Sequence, residues 1–228
     1  MKPAITIIIP TLNDAHYLER LLDRILTNAG PSIEVIVCDG GSQDEAKKIC
    51  QDKKVHFIQT KPSRAIQMNA GAKLAKADYL YFLHADTIPR SSFLEDLKQL
   101  IADDKPAACY RSKFDKGPFM LKLNAKFTRL KWLVARGGDQ SLLIKKPLFE
   151  ELGGYDEGMH IMEEFPLIKK LLSKDLLTIL PHTILICTRK YENRSWLKVS
   201  RANTVAFRMF KKGTDSAAIK ARYESLLG

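Results

Sequence analysis

The sequence predicts an α/β fold, a Rossmann-like and mainly parallel sheet flanked by helices. Three observations carry this reading. Short β-branched apolar runs alternate with helix-period segments through the first half of the chain, and no run is long enough to be a helix of its own. Each strand candidate save the third ends in a polar loop rich in Asn, Asp, Gly or Ser. A β-α-β-α-β-α-β order brings those loops to one sheet edge, where open α/β sheets bind ligands.

The first strand is Ile5–Ile9, broken by Pro10-Thr11-Leu12-Asn13-Asp14. Leu18, Leu21, Leu22, Ile25 and Leu26 then keep one helical face from Asp14 to Asn28, with Asn13 as the expected cap and Gly30-Pro31 as the stop. Strands follow at Ile33–Cys38, Val55–Ile58 and Tyr79–Leu83, separated by helices over Gln43–Gln51 and Arg64–Lys76, with a further helix over Ser91–Ala102. The second half is less regular. A strand is expected at Ala107–Arg111, an amphipathic helix near Pro118–Val134, a short strand at Ser141–Ile144, and a helix from about Glu163 to Ser173. Glycine pairs at Gly137-Gly138 and Gly153-Gly154 mark loops, so this half is expected to cap the first and supply the second wall of one cleft.

Composition narrows the classes. With 228 residues, 45% apolar and 28% charged, the chain suits one large globular domain. The apolar run after Lys2 is too short for a signal peptide, and nothing approaches the roughly 18–20 apolar residues of a spanning helix, so a cytoplasmic protein is expected. Cys38, Cys50, Cys109 and Cys187 are scattered without a CxxC pair and read as reduced thiols rather than a zinc site or disulfide framework. The net charge of +11 is uneven, because the segment from Arg189 to Gly228 holds ten Lys/Arg and three Asp/Glu. No zinc, RNP-like or repeated basic motif accompanies that charge, which argues against nucleic acid as a partner.

Two strand-end motifs carry chemistry. In Asp39-Gly40-Gly41-Ser42 the glycines permit close backbone approach and Asp39 can accept hydrogen bonds from a base or ribose; a tight turn capping the next helix fits the same residues. The run is not GxGxxG, which lowers the case for a dinucleotide enzyme. In His84-Ala85-Asp86, groups at i and i+2 of a bent strand end can face one ligand, and a hard divalent cation prefers such oxygen donors. The alternative has Asp86 capping the helix after Pro89 and His84 packed in the core.

Taken together, Pro10-Thr11-Leu12-Asn13-Asp14, Val37-Cys38-Asp39-Gly40-Gly41-Ser42, Asn69-Ala70-Gly71 and Phe82-Leu83-His84-Ala85-Asp86 resemble family 2 glycosyltransferases of the GT-A fold in order and spacing. Ser63-Arg64-Ala65-Ile66-Gln67-Met68-Asn69, Leu83-His84-Ala85-Asp86-Thr87 and Gly138-Asp139-Gln140 resemble the "transferase 2, rSAM/selenodomain-associated" group. The likeness runs to Arg189-Lys190-Tyr191-Glu192. It implies one domain with a nucleotide-binding half over 1–105, an acceptor-side half over 106–190 and a C-terminal helical segment over 191–228.

The resemblance also implies an inverting transfer from a nucleotide-diphosphate sugar, a UDP-sugar first, to a hydroxyl acceptor, assisted by Mg²⁺ or Mn²⁺. Thr11, Asn13 and Asp14 would line the nucleotide pocket, Asp39 with Gly40 would meet base or ribose, and Arg64 would lie near the donor. Asp86 matches the last Asp of the family's DxD motif and would be the metal ligand. His84 stands where the first Asp would be, so ligation, ribose contact and core packing all stay open. Glu163-Glu164 match the acidic pair at the head of a helix, with Glu164 the candidate general base; two glutamates complementing the helix dipole is the plainer reading. Asp139 and Gln140 either line the sugar or acceptor pocket or form a polar turn, and Arg189 matches a basic pair suited to the diphosphate.

From Trp196 to Lys212 apolar and basic residues mix in one helix, which either lies on an anionic membrane, where a lipid-linked acceptor would be met, or packs on the core with its cations in water. A competing function is a sugar-nucleotide-binding protein without transfer activity, since His84 and Glu164 both depart from the family pattern. A nucleotidyltransferase would need a Gly/Lys-rich loop after strand one, and Pro10-Thr11-Leu12-Asn13-Asp14 has neither residue.

Overall fold

The computed structural model describes residues 2–114, 116–117, 119–188, 191 and 194–228. The first half follows the expected order: β1 (Ile5–Thr11), α1 (Ala15–Leu26), β2 (Ile33–Asp39), α2 (Ala46–Asp52), β3 (His56–Gln59), α3 (Arg64–Leu74), β4 (Tyr79–Phe82), a two-residue β5 (Thr87–Ile88) and α4 (Phe93–Ala102). There follow β6 (Ala107–Phe114), α5 (Phe119–Phe127), β7 (Leu142–Lys145), α6 (Lys146–Glu151), α7 (Phe165–Ser173), β8 (Leu177–Ile186), α8 (Trp196–Lys211) and α9 (Ser216–Leu227).

One sheet runs β3-β2-β1-β4-β7-β6-β8-β5. Its first four strands are parallel, so β1, β2 and β4 deliver their C-terminal loops to the same edge. Side-chain alternation then divides the core. Ile5, Ile7 and Ile9 of β1 face Leu18, Leu21, Leu22 and Ile25 of α1, and Leu94 and Leu97 of α4 join the same layer. Ile8 points the other way, among α3, α6 and α7 residues such as Met68, Phe149 and Leu171. Each such leucine or isoleucine, fully buried, contributes about 1.5–3 kcal/mol of transfer free energy. Gly71 lets α3 lie directly on the sheet, since a Cβ there would sit 2.6 Å from Ile8 Cγ2 and 2.8 Å from Cys38 Sγ.

Several expectations are corrected. The helix near 118–134 ends as α5 at Phe127, and single turns of 3-10 helix follow at Leu133–Ala135 and Gly138–Gln140. Neither α6, β8 nor α9 was legible. β8 hides behind Pro181, which lacks the N–H a strand interior needs. The β6–β8 register jumps from Cys109↔Ile179 to Arg111↔Thr183, so Pro181 lies in the bulged stretch where no ladder bond is required.

The C-terminal helix takes the packed alternative. Val199, Ala202 and Ala206 of α8 are buried, and Phe207 and Phe210 set their rings edge-on to Phe165 at 5.8 and 5.4 Å. Among the described residues no helix is long and apolar enough to cross a membrane, and the four cysteines are free thiols.

Candidate active site

The loops after β1 and β2 are one hydrogen-bonded unit. Asp39 is buried, and its Oδ2 accepts the N–H groups of Gly41 (2.8 Å) and Ser42 (2.9 Å), while Oδ1 accepts the Ser42 hydroxyl. Ser42 Oγ in turn accepts the Asn13 N–H at 2.8 Å, and Asn13 Oδ1 accepts the Gln43 N–H at 2.9 Å. Asp39 thus shapes its own loop. Gly40 donates its N–H to the Thr11 carbonyl at 2.9 Å, and a Cβ on it would press to 3.2 Å from Pro62 Cα.

Asn13 is not the helix cap. It sits at φ 54°, and Asp14 takes the N-cap position without a side-chain cap bond, while Asp44 Oδ2 accepts the Ala15 N–H at 2.8 Å from the opposite loop. Thr11 is buried with Oγ1 unpartnered among the described residues, so Thr11, Asn13, Asp14, Asp39 and Gly40 do assemble at one edge. Gln67 holds them from beneath. This buried amide donates to the carbonyls of Thr11 and Cys38, both at 2.7 Å, joining the ends of β1 and β2. Sequence reasoning missed that role, although the residue lies inside a quoted motif.

His84 and Asp86 part company. The bend after β4 closes with Thr87 donating N–H and hydroxyl to the His84 carbonyl, at 3.2 and 2.7 Å. Asp86 lines a cavity of about 60 Å³ with Tyr17, Arg20, Arg24 and Thr87, on the α1 side. His84 lines a separate, water-sized cavity of about 20 Å³ with Gly138, Tyr155, Glu163 and Glu164, on the α3 and α7 side. His84 and Asp86 thus line different cavities, and the capping alternative for Asp86 is corrected, because α4 starts at Phe93 behind Ser92. The His84 imidazole lies against Gly138, where a Cβ would come within 2.6 Å of Cε1 and 2.9 Å of Nε2. Burial, helped by the charge of Arg64, pushes its pKa down to about 3, so the ring is neutral at ordinary pH.

The acidic pair stands at the head of α7. Glu164 Oε1 accepts the Gly138 N–H at 2.9 Å. Burial first, and the neighbouring Glu163 second, push the Glu164 carboxyl up to about 7; Gly138's N–H opposes that rise and Asp139 adds to it. Glu163 is buried and faces Arg64 Nη1 at 3.8 Å, so Arg64, His84, Asp139, Glu163 and Glu164 converge. Gln140 is buried nearby, donating to the Ala135 carbonyl at 2.7 Å with its Oε1 unpartnered among the described residues. Arg189 lies outside the described residues.

Backbone strain marks the same place. Among the described residues six non-glycine positions have positive φ, and three of them, Lys54, Asp104 and Asp175, sit just past the C-caps of α2, α4 and α7, an ordinary helix ending. The other three are Asn13, Ser141 and Met162, which flank the nucleotide-side loop, the Gly138 turn and the acidic pair. Asn69 clamps the pair's approach, donating to the Tyr155 carbonyl at 2.8 Å and accepting its N–H at 3.0 Å.

As for a metal, no group of three His, Cys, Asp or Glu side chains converges among the described residues. One carboxylate, Asp86, stands at the loop after β4. That suits ions of the Mg²⁺ type, which are commonly held by one or two carboxylates plus substrate phosphates and water.

Comparison with known proteins agrees with this architecture. The family model "Glycosyl transferase family 2" matches residues 6–154. An uncharacterized glycosyltransferase of Rickettsia typhi is 27% identical over 210 residues, covering 84% of this chain and 65% of the relative. The glycosyltransferase GlyG of Streptococcus pneumoniae is 29% identical over 110 residues, 45% of this chain and 36% of GlyG. The chain thus spans less than two thirds of these relatives' length. In fold it is similar to the mannosyltransferase PcManGT of Pyrobaculum calidifontis in complex with GDP-Man and Mn²⁺, with TM-score 0.67 and 19% identity over 98% of this chain and 69% of that one. S. aureus TarS 1-349 in complex with UDP-GlcNAc gives TM-score 0.64 and 16% identity over 98% and 71%. The fold is GT-A, with nucleotide-sugar-binding glycosyltransferases as its neighbours. By the extent of the family match, the chain belongs to glycosyl transferase family 2.

Proposed function

We propose that this glycosyltransferase moves a sugar, with inversion, from a nucleotide-diphosphate sugar to a hydroxyl acceptor. The observation that carries the reading is Glu164: a half-buried carboxyl at the head of α7, oriented by the Gly138 N–H and pushed up to about 7. A general base works best near the operating pH, and this one has both the geometry and the basicity to take the acceptor's proton as the diphosphate departs from the other face. Glu163, beside Arg64, sets the field around it.

On the donor side, Thr11, Asn13, Asp14, Asp39 and Gly40 form the nucleotide edge, with Asp39 acting chiefly by shaping the loop whose backbone meets the base or ribose. Arg64 reaches the donor from α3. The first donor to test is a UDP-sugar, supported by the UDP-GlcNAc complex of TarS, with GDP-Man as the comparison. A Mg²⁺ or Mn²⁺ ion held by Asp86 with donor phosphate oxygens would neutralise the leaving diphosphate, in keeping with the Mn²⁺ in PcManGT. His84, neutral and packed on Gly138, supports the wall of the base's cavity. Asp139 and Gln140 border the acceptor side, and Arg189 is assigned to the diphosphate by its motif alone. The chain divides as 1–105 for donor, 106–190 for acceptor and 191–228 as a helical buttress on α7. Free thiols support a cytoplasmic setting. The selenodomain-associated group rests on the sequence motifs.

Calorimetric titration of UDP, GDP and their sugars with and without Mn²⁺ tests this. Saturable, Mn²⁺-strengthened binding of one nucleotide sugar, lost in Asp86→Ala, is expected. Absence of any nucleotide binding sinks the proposal, and tight binding without transfer or hydrolysis across an acceptor panel points to the binding protein instead.

A further inference from the structure

Helix α5 is amphipathic the wrong way round for a helix that serves only the core. It buries one side chain, Leu121, while Phe119, Met120 and Phe127 are exposed on a common face about 100° wide, with Leu123 half-buried between them. Phe119 is 73% exposed and Phe127 46%. The chain beyond the helix exposes two more large apolar side chains, Trp132 at 56% and Val134 at 57%. Five large apolar side chains in one 16-residue stretch exceed the scattered single exposures normal on a soluble surface.

The inner side of this stretch is firmly held, so the outward face is not a result of loose packing. Buried Arg136 donates through Nη2 to the carbonyls of Thr128 and Leu130 and through Nη1 to Cys109 Sγ at 3.2 Å. Thr128 Oγ1 accepts the Ser112 N–H at 3.0 Å.

Charge identifies the occupant. Between Lys116 and Gly138 the sequence has no Asp or Glu; Arg136 is buried and Lys131 pairs with Asp175 at 2.5 Å, and Lys122, Lys126 and Arg129 are exposed. Lys122 and Lys126 flank the apolar face of α5, both exposed, and Arg129 follows. Aromatic and aliphatic side chains bordered by lysines suit an interface where apolar groups enter the acyl boundary and ammonium groups meet anionic headgroups. A second copy of the chain on the same face would bring the two basic rims together, which like-charge repulsion opposes.

We infer that the surface formed by α5 and the segment through Val134 docks the protein on an anionic phospholipid bilayer. The basic C-terminal helix, whose Phe207 and Phe210 are packed on Phe165 of α7, is not the element that does so. The segment leads straight into Gly138, the N–H partner of Glu164, so docking would bring the membrane alongside the base's turn. The inference concerns a surface and stands apart from the donor reading.

The test is sedimentation of the full chain with vesicles of phosphatidylglycerol and phosphatidylethanolamine against vesicles of phosphatidylcholine, at low and high salt. Binding to the anionic vesicles alone, weakened by salt, is expected. Lys122→Glu with Lys126→Glu, or Phe119→Ser with Trp132→Ser, should lower the partition coefficient roughly tenfold or more. Melting curves check that these surface variants fold. In a Trp196→Phe background, the emission of Trp132 should shift to the blue on adding anionic vesicles and be quenched by brominated lipid. The inference is overturned if anionic vesicles bind no protein at low salt. It fails equally if both α5 variants bind as the parent does while Arg201→Glu with Arg208→Glu abolishes binding, or if the face instead drives dimerisation or binds only an acidic protein.

Discussion

Glu164 Oε1 accepts the backbone N–H of Gly138 at 2.9 Å, tying the head of α7 to the turn that precedes β7. This one bond links residues that are 26 apart in sequence and fixes the carboxyl beside His84 and Tyr155.

Replacing Glu164 with Gln keeps the size and the acceptor for Gly138 but removes the base. Transfer should slow by roughly 10²–10⁴-fold with little change in donor affinity. In the parent, kcat should rise with pH through about 7, because the carboxyl must lose its proton to act. Initial rates from pH 5.5 to 8.5 check both. A parent-like rate for the variant reassigns the base.

The same carboxyl makes stability depend on pH. Its folded pKa of about 7 lies above the ordinary 4.5, so the folded state binds the proton more tightly and is favoured most below about 4.5. That contribution is lost as pH rises through about 7. Glu164→Gln should therefore melt higher than the parent at pH 8, by about 1–3 kcal/mol in stability, and the gap should close toward pH 4.5. Calorimetric melting at the two pH values decides it.

Gly138→Ala places a Cβ 2.6 Å from His84 Cε1 in a packed wall. The imidazole or the turn has to shift, at a cost of about 1–3 kcal/mol, and Glu164 loses its oriented N–H. Denaturant unfolding should show the loss, and kcat should fall more than donor affinity. Unchanged kinetics would detach this turn from the chemistry.

Gln67→Leu removes both amide donors from the carbonyls of Thr11 and Cys38. Stability should drop by about 1–3 kcal/mol, since two buried carbonyls lose an amide donor. Nucleotide affinity should weaken as the two loops separate, whereas a purely structural amide would leave the affinity of the folded fraction unchanged. Titration of folded variant with UDP separates the two.

What the sequence by itself determined is the local grammar. Period-2 runs such as Ile5–Ile9 and the period-3.6 face of Leu18, Leu21, Leu22 and Ile25 are set by which side chains must leave water, and that pattern is written along the chain. The parallel order then brought Thr11, Asn13 and Asp39 to one edge as expected, and the acidic pair fell at the head of α7. Tertiary structure decided the rest. His84 and Asp86 are two residues apart, and the turn closed by Thr87 sets them in different cavities. Whether Asp39 is a free acceptor depends on Gly41 and Ser42 already filling its oxygens. β8 escaped notice because Pro181 is tolerated only opposite a bulge that β6 supplies, and α5 escaped because a helical pattern does not say which face meets the core. In each case the deciding partner is distant in sequence, so the outcome depends on long-range packing that no local pattern encodes.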